Sequence, residues 1–110
     1  MNPQLQYLLR GCAFAVLAAL AACGHDAVRD PAALRVRVEL GRLQADPQLA
    51  SRAPQALKEA QEAMAAAEVP QNDPALSAHL IYLADRKVQT ARSLAEAHVA
   101  EDQLKMLQGK

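Results

Sequence analysis

The sequence predicts an all-α domain, an antiparallel helical hairpin in which prolines break one side into two helices and a third, longer helix forms the other side. The first observation is a set of three dipeptides that place proline at the favoured first position of a helix: Asp30-Pro31, Ala53-Pro54 and Asp73-Pro74. The second is that neither Gly nor Pro occurs between Pro74 and Gly109. The third is length, since the last segment would measure about 50 Å and the two earlier ones together about 45 Å at 1.5 Å per residue.

The first helix is predicted over residues 31–45, with Asp30 as its N-cap. Apolar residues that alternate with charged ones are typical of a strand, and they occur here at Leu34, Val36, Val38 and Leu40. The same segment also has helical spacing, at Val36, Leu40 and Leu43. We predict a helix because no second strand is expected elsewhere and because Arg35 and Glu39 can form an i,i+4 ion pair.

The second helix is predicted over residues 54–68, after Asp46-Pro47 ends the first helix and a connector follows. Its apolar face has helical spacing, with Met64 expected to fill the core: Leu57, Ala60, Met64 and Ala67. The third helix is predicted over residues 74–107. Its expected buried face consists of Leu76, Leu80, Leu83, Ala84, Val88, Ala91, Leu94, Ala95 and Val99.

The first 22 residues have the layout of a secretory signal peptide, with Arg10, an apolar run and small residues that lead to Cys23. The segment Leu20-Ala21-Ala22-Cys23 resembles the lipobox of bacterial lipoproteins. The resemblance implies cleavage before Cys23, a diacylglycerol on its sulfur and usually an acyl chain on its new amino terminus. The alternative, a retained signal anchor, is disfavoured because the run is shorter than the ~20 apolar residues that span a bilayer.

We therefore expect a signal peptide at 1–22, the lipidated Cys23 with a short tether at 23–30, and the helical domain at 31–110. Cys23 is then the only cysteine of the mature chain, so it has no partner for an intramolecular disulfide and no thiolate metal site is expected. The mature charge is nearly balanced, with 11 Lys and Arg against 12 Asp and Glu. This balance, without a basic stripe, argues against nucleic acid and against a polybasic lipid-binding patch.

His79, Tyr82 and Arg86 fall at i, i+3 and i+7, on one face of the third helix. One interpretation is a recognition patch. The other, which the sequence favours, is a structural cluster in which Tyr82 and the stem of Arg86 cover the contact with the other helices.

Metal binding and catalysis find little support in the sequence. His98 and Asp102 lie at i,i+4 with Glu101 beside them, but zinc sites usually have three or four protein ligands. The chain contains no nucleophile-elbow pattern around its three serines and no Gly-rich phosphate loop. We expect no enzyme, no catalytic residue, no metal and no cofactor apart from the lipid on Cys23.

The segment from His79 to Val88, followed by Ala91-Arg92, resembles the domain-of-unknown-function family 4398. Residues 46–50, 53–54 and 101–103 add to the resemblance, which covers roughly residues 32–107. The resemblance implies a Gram-negative envelope protein, often a lipoprotein, and in many relatives an OmpA-like peptidoglycan-binding domain follows this segment. No such domain follows here, so we expect no direct peptidoglycan binding. The family has no agreed activity, and it implies no catalytic residues.

These observations lead us to expect a lipid-anchored helical interaction module of the envelope that faces the periplasm. Gly24 after the lipidated cysteine favours the outer membrane over the inner membrane. The expected contacts are the membrane, through the anchor, and either an envelope protein or a second copy. The alternative is a self-associating spacer lipoprotein beneath the outer membrane. A small-molecule carrier fits less well, because alanine-rich helix contacts leave little cavity.

Overall fold

Three helices make up most of residues 30–109, the part of the chain that the computed structural model describes. They are α1 (Pro31–Ala45), α2 (Pro54–Glu68) and α3 (Pro74–Gln108). No strand occurs within residues 30–109. The all-α class and the three helices are confirmed, and each boundary is within one residue of its prediction. The predicted signal peptide and Cys23 lie outside the described residues.

Aspartate side chains cap two of the three helices, as their Asp-Pro dipeptides predict. Asp30 Oδ1 accepts a hydrogen bond from the backbone N–H of Ala32 at 2.9 Å. Asp73 Oδ1 accepts one from the N–H of Ala75, also at 2.9 Å. Each bond satisfies one of the N–H groups that a helix start leaves without a partner, which stabilises the helix by typically ~1 kcal/mol.

The connector between α1 and α2 is a series of turns that Asp46 organises. Asp46 Oδ1 accepts from the N–H of Gln48 at 2.8 Å and from that of Leu49 at 3.2 Å. The N–H of Ala50 donates to the backbone oxygen of Asp46 at 3.0 Å. An Asp side chain that bonds to the backbone after it is a common turn device, so the break at Pro47 leads into an ordered turn.

The helices α2 and α3 form the antiparallel pair that the sequence predicts. Lys87 Nζ donates to Glu59 at 2.8 Å, while Arg52, before α2, pairs with Asp102 near the end of α3. The contacts thus run in opposite directions along the two helices. The short turn between Glu68 and Pro74 joins them.

The position of α1 differs from the expected layout, in which α1 and α2 would follow one another along α3. Arg37 forms an ion pair with Glu68, the last residue of α2. An arrangement in line would leave these residues tens of ångströms apart, given 1.5 Å per helical residue. The connector therefore turns α1 back over the hairpin, where α1 packs against both α2 and α3.

The core lies where the three helices meet. From α1 it contains Ala33, Val36, Leu40 and Leu43, and from α2 it contains Ala60, Met64 and Ala67. The predicted face of α2 and the core role of Met64 are confirmed, with Leu57 half-buried beside it. The alternation in α1 now has an explanation: Leu34 and Val38 point away from the core, with exposed fractions of 47% and 51%.

The buried face of α3 is partly different from the prediction. Its fully buried residues are Ile81, Ala84, Val88, Ala91 and Ala95. Leu80 and Val99 are half-buried, but Leu76, Leu83 and Leu94 were wrongly assigned to the core and are exposed. Two apolar stripes one residue apart run along α3. The inner stripe consists of three alanines with Ile81 and Val88, and its alanines let α1 and α2 pack closely against α3.

Candidate functional site

The residues of the predicted recognition patch lie together on the outer face of α3. His79, Tyr82 and Arg86 are all exposed, Tyr82 by 59%. At about 100° per residue, they point nearly opposite to the buried residues of α3. The prediction that Tyr82 and Arg86 cover the helix contact is therefore wrong. The Arg86 side chain donates to Gln89 on the same helix at 3.2 Å. The Tyr82 ring is open to solvent.

A longer apolar surface lies on the side of α3, between this patch and the core. We call it the leucine stripe and define it as Leu76, Leu80, Leu83 and Leu94. The exposed fractions of Leu76, Leu83 and Leu94 are 42%, 40% and 43%, and Leu80 is half-buried. The spacings of four, three and eleven residues keep these side chains in line along the helix. This is the pattern of a second helix-packing surface.

The outer face of α1 carries a smaller apolar surface, which the sequence analysis missed. Leu34, Val38, Gly41 and Ala45 follow one another at i, i+4, i+7 and i+11, and all four are exposed. This spacing is the signal that could have revealed it, because it marks a face of its own beside the core face at Val36, Leu40 and Leu43.

His98 and Asp102 hold the connector against α3 instead of forming a metal site. Their common partner is Arg52: the His98 ring lies with Nδ1 2.5 Å from the Arg52 backbone oxygen, and Asp102 pairs with the Arg52 guanidinium. Since a carbonyl oxygen only accepts, Nδ1 carries the hydrogen. Within the described residues, no three His, Cys, Asp or Glu side chains could together hold a metal ion.

The predicted Arg35–Glu39 pair does not form. Glu39 instead contacts Arg42 on the same helix at 3.0 Å and Arg92 on α3 at 3.2 Å. Within α2, Lys58 and Glu62 lie 3.9 Å apart. Each of these exposed pairs stabilises the fold by ~1 kcal/mol at most.

Two charged residues at these contacts have shifted pKa values. The pKa of Glu59 is lowered, first by its hydrogen bond from Lys87 and then by one from Gln55. Its small contribution is present above the unfolded pKa and is lost as the pH falls through the folded value. The pKa of Arg37 is raised, chiefly by its hydrogen bond to Glu68, so the Arg37 guanidinium stays charged at neutral pH.

No helix in residues 30–109 is long and apolar enough to cross a membrane. The predicted lipidation site, Cys23, lies outside these residues, so the anchor remains a prediction from the sequence.

Comparison with known proteins identifies a family but no characterised relative. No curated protein and no solved structure matches the chain. One family model, described as Domain of unknown function (DUF4398), matches residues 32–107. The match extends from the first turn of α1 to the last turn of α3 and covers more than half of the 110 residues. The chain therefore belongs to the DUF4398 family.

Proposed function

We propose that this protein is a lipid-anchored helical interaction module of the Gram-negative cell envelope that faces the periplasm from the outer membrane. It is held by acyl chains on Cys23 and performs no catalysis. The signal-peptide pattern and the lipobox resemblance support the anchor. The exposed helix faces of the domain support the interaction.

The leucine stripe is the observation that carries the proposed interaction. A small soluble domain gains stability by burying leucine, at about 25 cal/mol per Å² of apolar surface. Here α3 buries three alanines beside Ile81 and Val88, and leaves Leu76, Leu83 and Leu94 exposed to solvent. A partner helix that covered the stripe would bury these side chains, and the anchor would raise its local concentration at the membrane. The patch at His79, Tyr82 and Arg86 lies on the neighbouring face and could extend the contact.

Site-specific photocrosslinking in cells tests this function. We expect a photoreactive residue at Leu83 to give one discrete adduct, and the same residue at Gln103 to give none. Gln103 is the matched control, because it is exposed on the same helix but lies opposite the stripe and far from Tyr82 and Arg86. Replacing residues 1–23 with a signal peptide that is cleaved without lipidation should move the protein from the membrane fraction to the soluble fraction and weaken the adduct. Equal labelling at both positions, or a chain without Cys23 and the native signal segment that stays membrane-bound, would contradict the proposal.

Self-association as a spacer is the second candidate, and the symmetry of the leucine stripe favours it. If two copies of α3 lie antiparallel with their centres between Val88 and Gln89, then Leu83 of each copy faces Leu94 of the other. In the same register Leu80 faces Ala97, so apolar residues meet on both sides of the centre as far as Leu80, while Leu76 faces Glu101 and lies outside the apolar contact. The polar positions Lys87 and Thr90 face each other in the middle.

Disulfide formation between two differently substituted chains tests this self-association. Chains with Leu83→Cys are mixed with chains that carry Leu94→Cys, both lacking Cys12 and Cys23. The antiparallel register predicts disulfides between position 83 and position 94 only. Two copies of position 83 would lie about 16 Å apart, calculated from 11 residues at ~1.5 Å each, and disulfides need Cα atoms within ~7 Å. Disulfides between identical positions, or none, would exclude this spacer arrangement.

A further inference from the structure

We propose that the outer face of α1 lies against the surface of the bilayer that holds the anchor, so that the domain rests on anionic phospholipid with α3 turned away. This inference rests on the proposed lipid anchor and adds the orientation of the domain. The occupant of the face is thus a membrane surface, and not a protein helix.

The geometry of α1 suits an interfacial helix. Leu34 and Val38 form the exposed apolar face, and the opposite side of α1 packs on the core through Val36 and Leu40. Three exposed arginines flank this face. At ~100° per residue, Arg35 and Arg42 lie along one edge and Arg37 along the other. Basic residues beside an apolar face are typical of helices that lie in a membrane interface.

Charge complementarity points to the same surface. The helix α1 carries three arginines and one glutamate, whereas residues 46–109 carry six basic and nine acidic side chains. Glu39 contacts both Arg42 and Arg92, and Arg37 pairs with Glu68, so Arg35 is the arginine of α1 without a carboxylate partner among the described residues. The charge of α1 is still net positive and that of residues 46–109 net negative, so an anionic bilayer attracts α1 and repels the rest of the domain.

The anchor brings α1 within reach and supplies the affinity that α1 lacks. Cys23 is seven residues before Asp30, a distance of at most about 25 Å for an extended chain. Three arginines and two half-exposed apolar side chains would bind a membrane weakly on their own. Once the chain is anchored, the contact forms within a single molecule, and a weak interaction is sufficient to orient the domain.

A single tryptophan tests this orientation, because the chain has none. The mature chain is anchored on vesicles of phosphatidylcholine with phosphatidylglycerol, and Val38→Trp is compared with Tyr82→Trp. Both positions are exposed, but they lie on different helices. We expect the emission of Val38→Trp to shift to the blue and to be quenched by brominated lipid. The emission of Tyr82→Trp should stay unshifted and unquenched. Arg35→Glu with Arg42→Glu, or pure phosphatidylcholine, should abolish the difference.

Two results would overturn the inference. One is equal quenching at the two positions, or none at Val38→Trp. The other is a blue shift at Val38→Trp without lipid quenching, which would mean that a second copy covers the face. The mass of the purified chain shows separately whether Cys23 carries the proposed acyl chains. If Cys23 carries no acyl chain, a chain of residues 23–110 is coupled through Cys23, its only cysteine, to a maleimide lipid, and the quenching measurement still decides the orientation.

Discussion

Leu40→Ala is expected to destabilise the domain by about 2 to 5 kcal/mol, the usual cost of removing a large aliphatic side chain from a closed core. Leu40 is fully buried among residues of all three helices. Its loss would leave a cavity that the rigid helices cannot close. Small domains have a total stability of only ~5 to 15 kcal/mol, so this one change removes a large part of it. Urea unfolding followed by circular dichroism measures the effect.

Leu34→Ala is the matched control for this prediction. It removes the same atoms from the same helix, six residues earlier, at a position that is 47% exposed. We expect a change within about 0.5 kcal/mol, as is usual for surface substitutions. Similar losses for both variants would mean that α1 does not pack on the hairpin through the face assigned to it.

Ala84→Leu is expected to destabilise the domain by about 1 to 3 kcal/mol through overpacking. Ala84 has no exposed surface and lies in the core together with Ala60 and Ala91, which are equally enclosed. The larger side chain would force α1 and α2 away from α3 or leave its own preferred rotamers. Because leucine is nearly as good a helix former as alanine, the loss would measure packing and not helix propensity.

Ala97→Leu on the same helix is the control, because residue 97 is exposed. It should leave the melting temperature nearly unchanged. In a domain of this size, each 1 kcal/mol lowers that temperature by roughly 4 to 8 °C, so the two variants are easily separated. If Ala84→Leu melts like the unaltered protein, the contact between the helices is open rather than closed.

The two exposed apolar faces assign different neighbours to different sides of one small domain. The outer face of α1 is basic at its edges and is placed next to the anchor, which fits a membrane. The leucine stripe on α3 has the spacing of a helix-packing surface. In an antiparallel pair of copies, Lys87 and Thr90 would separate its two apolar halves. A domain that used both faces would connect the bilayer to a protein partner.

The boundaries of the helices could be predicted from the sequence because they depend on local chemistry. Asp30 and Asp73 each bond to an N–H two residues later, and proline excludes a preceding helical turn. The face of α2 was predictable for the same kind of reason, since one stripe of apolar residues contrasts with Lys58 and Glu62. On α1 the apolar residues were predictable as helical, but the second, outer face of that helix was not recognised.

The candidate site was less predictable. The sequence placed His79, Tyr82 and Arg86 on one face but could not show whether that face pointed inward. The role of Arg52 could not be predicted, because its partners Asp102 and His98 are 50 and 46 residues away in the sequence. A pair of this kind replaced the i,i+4 pair that local spacing suggests on α1.

By itself, the sequence determined that the domain is all-α, where each helix begins and ends, and which residues of α2 are buried, because these properties depend on capping, proline and periodicity within one segment. Only the tertiary structure decided that α1 turns back over the hairpin and that three alanines with Ile81 and Val88, and not the leucines, occupy the inner stripe of α3. Both depend on how closely three helix backbones approach one another. That distance is set by the sizes of side chains that lie far apart in the sequence and meet only after folding.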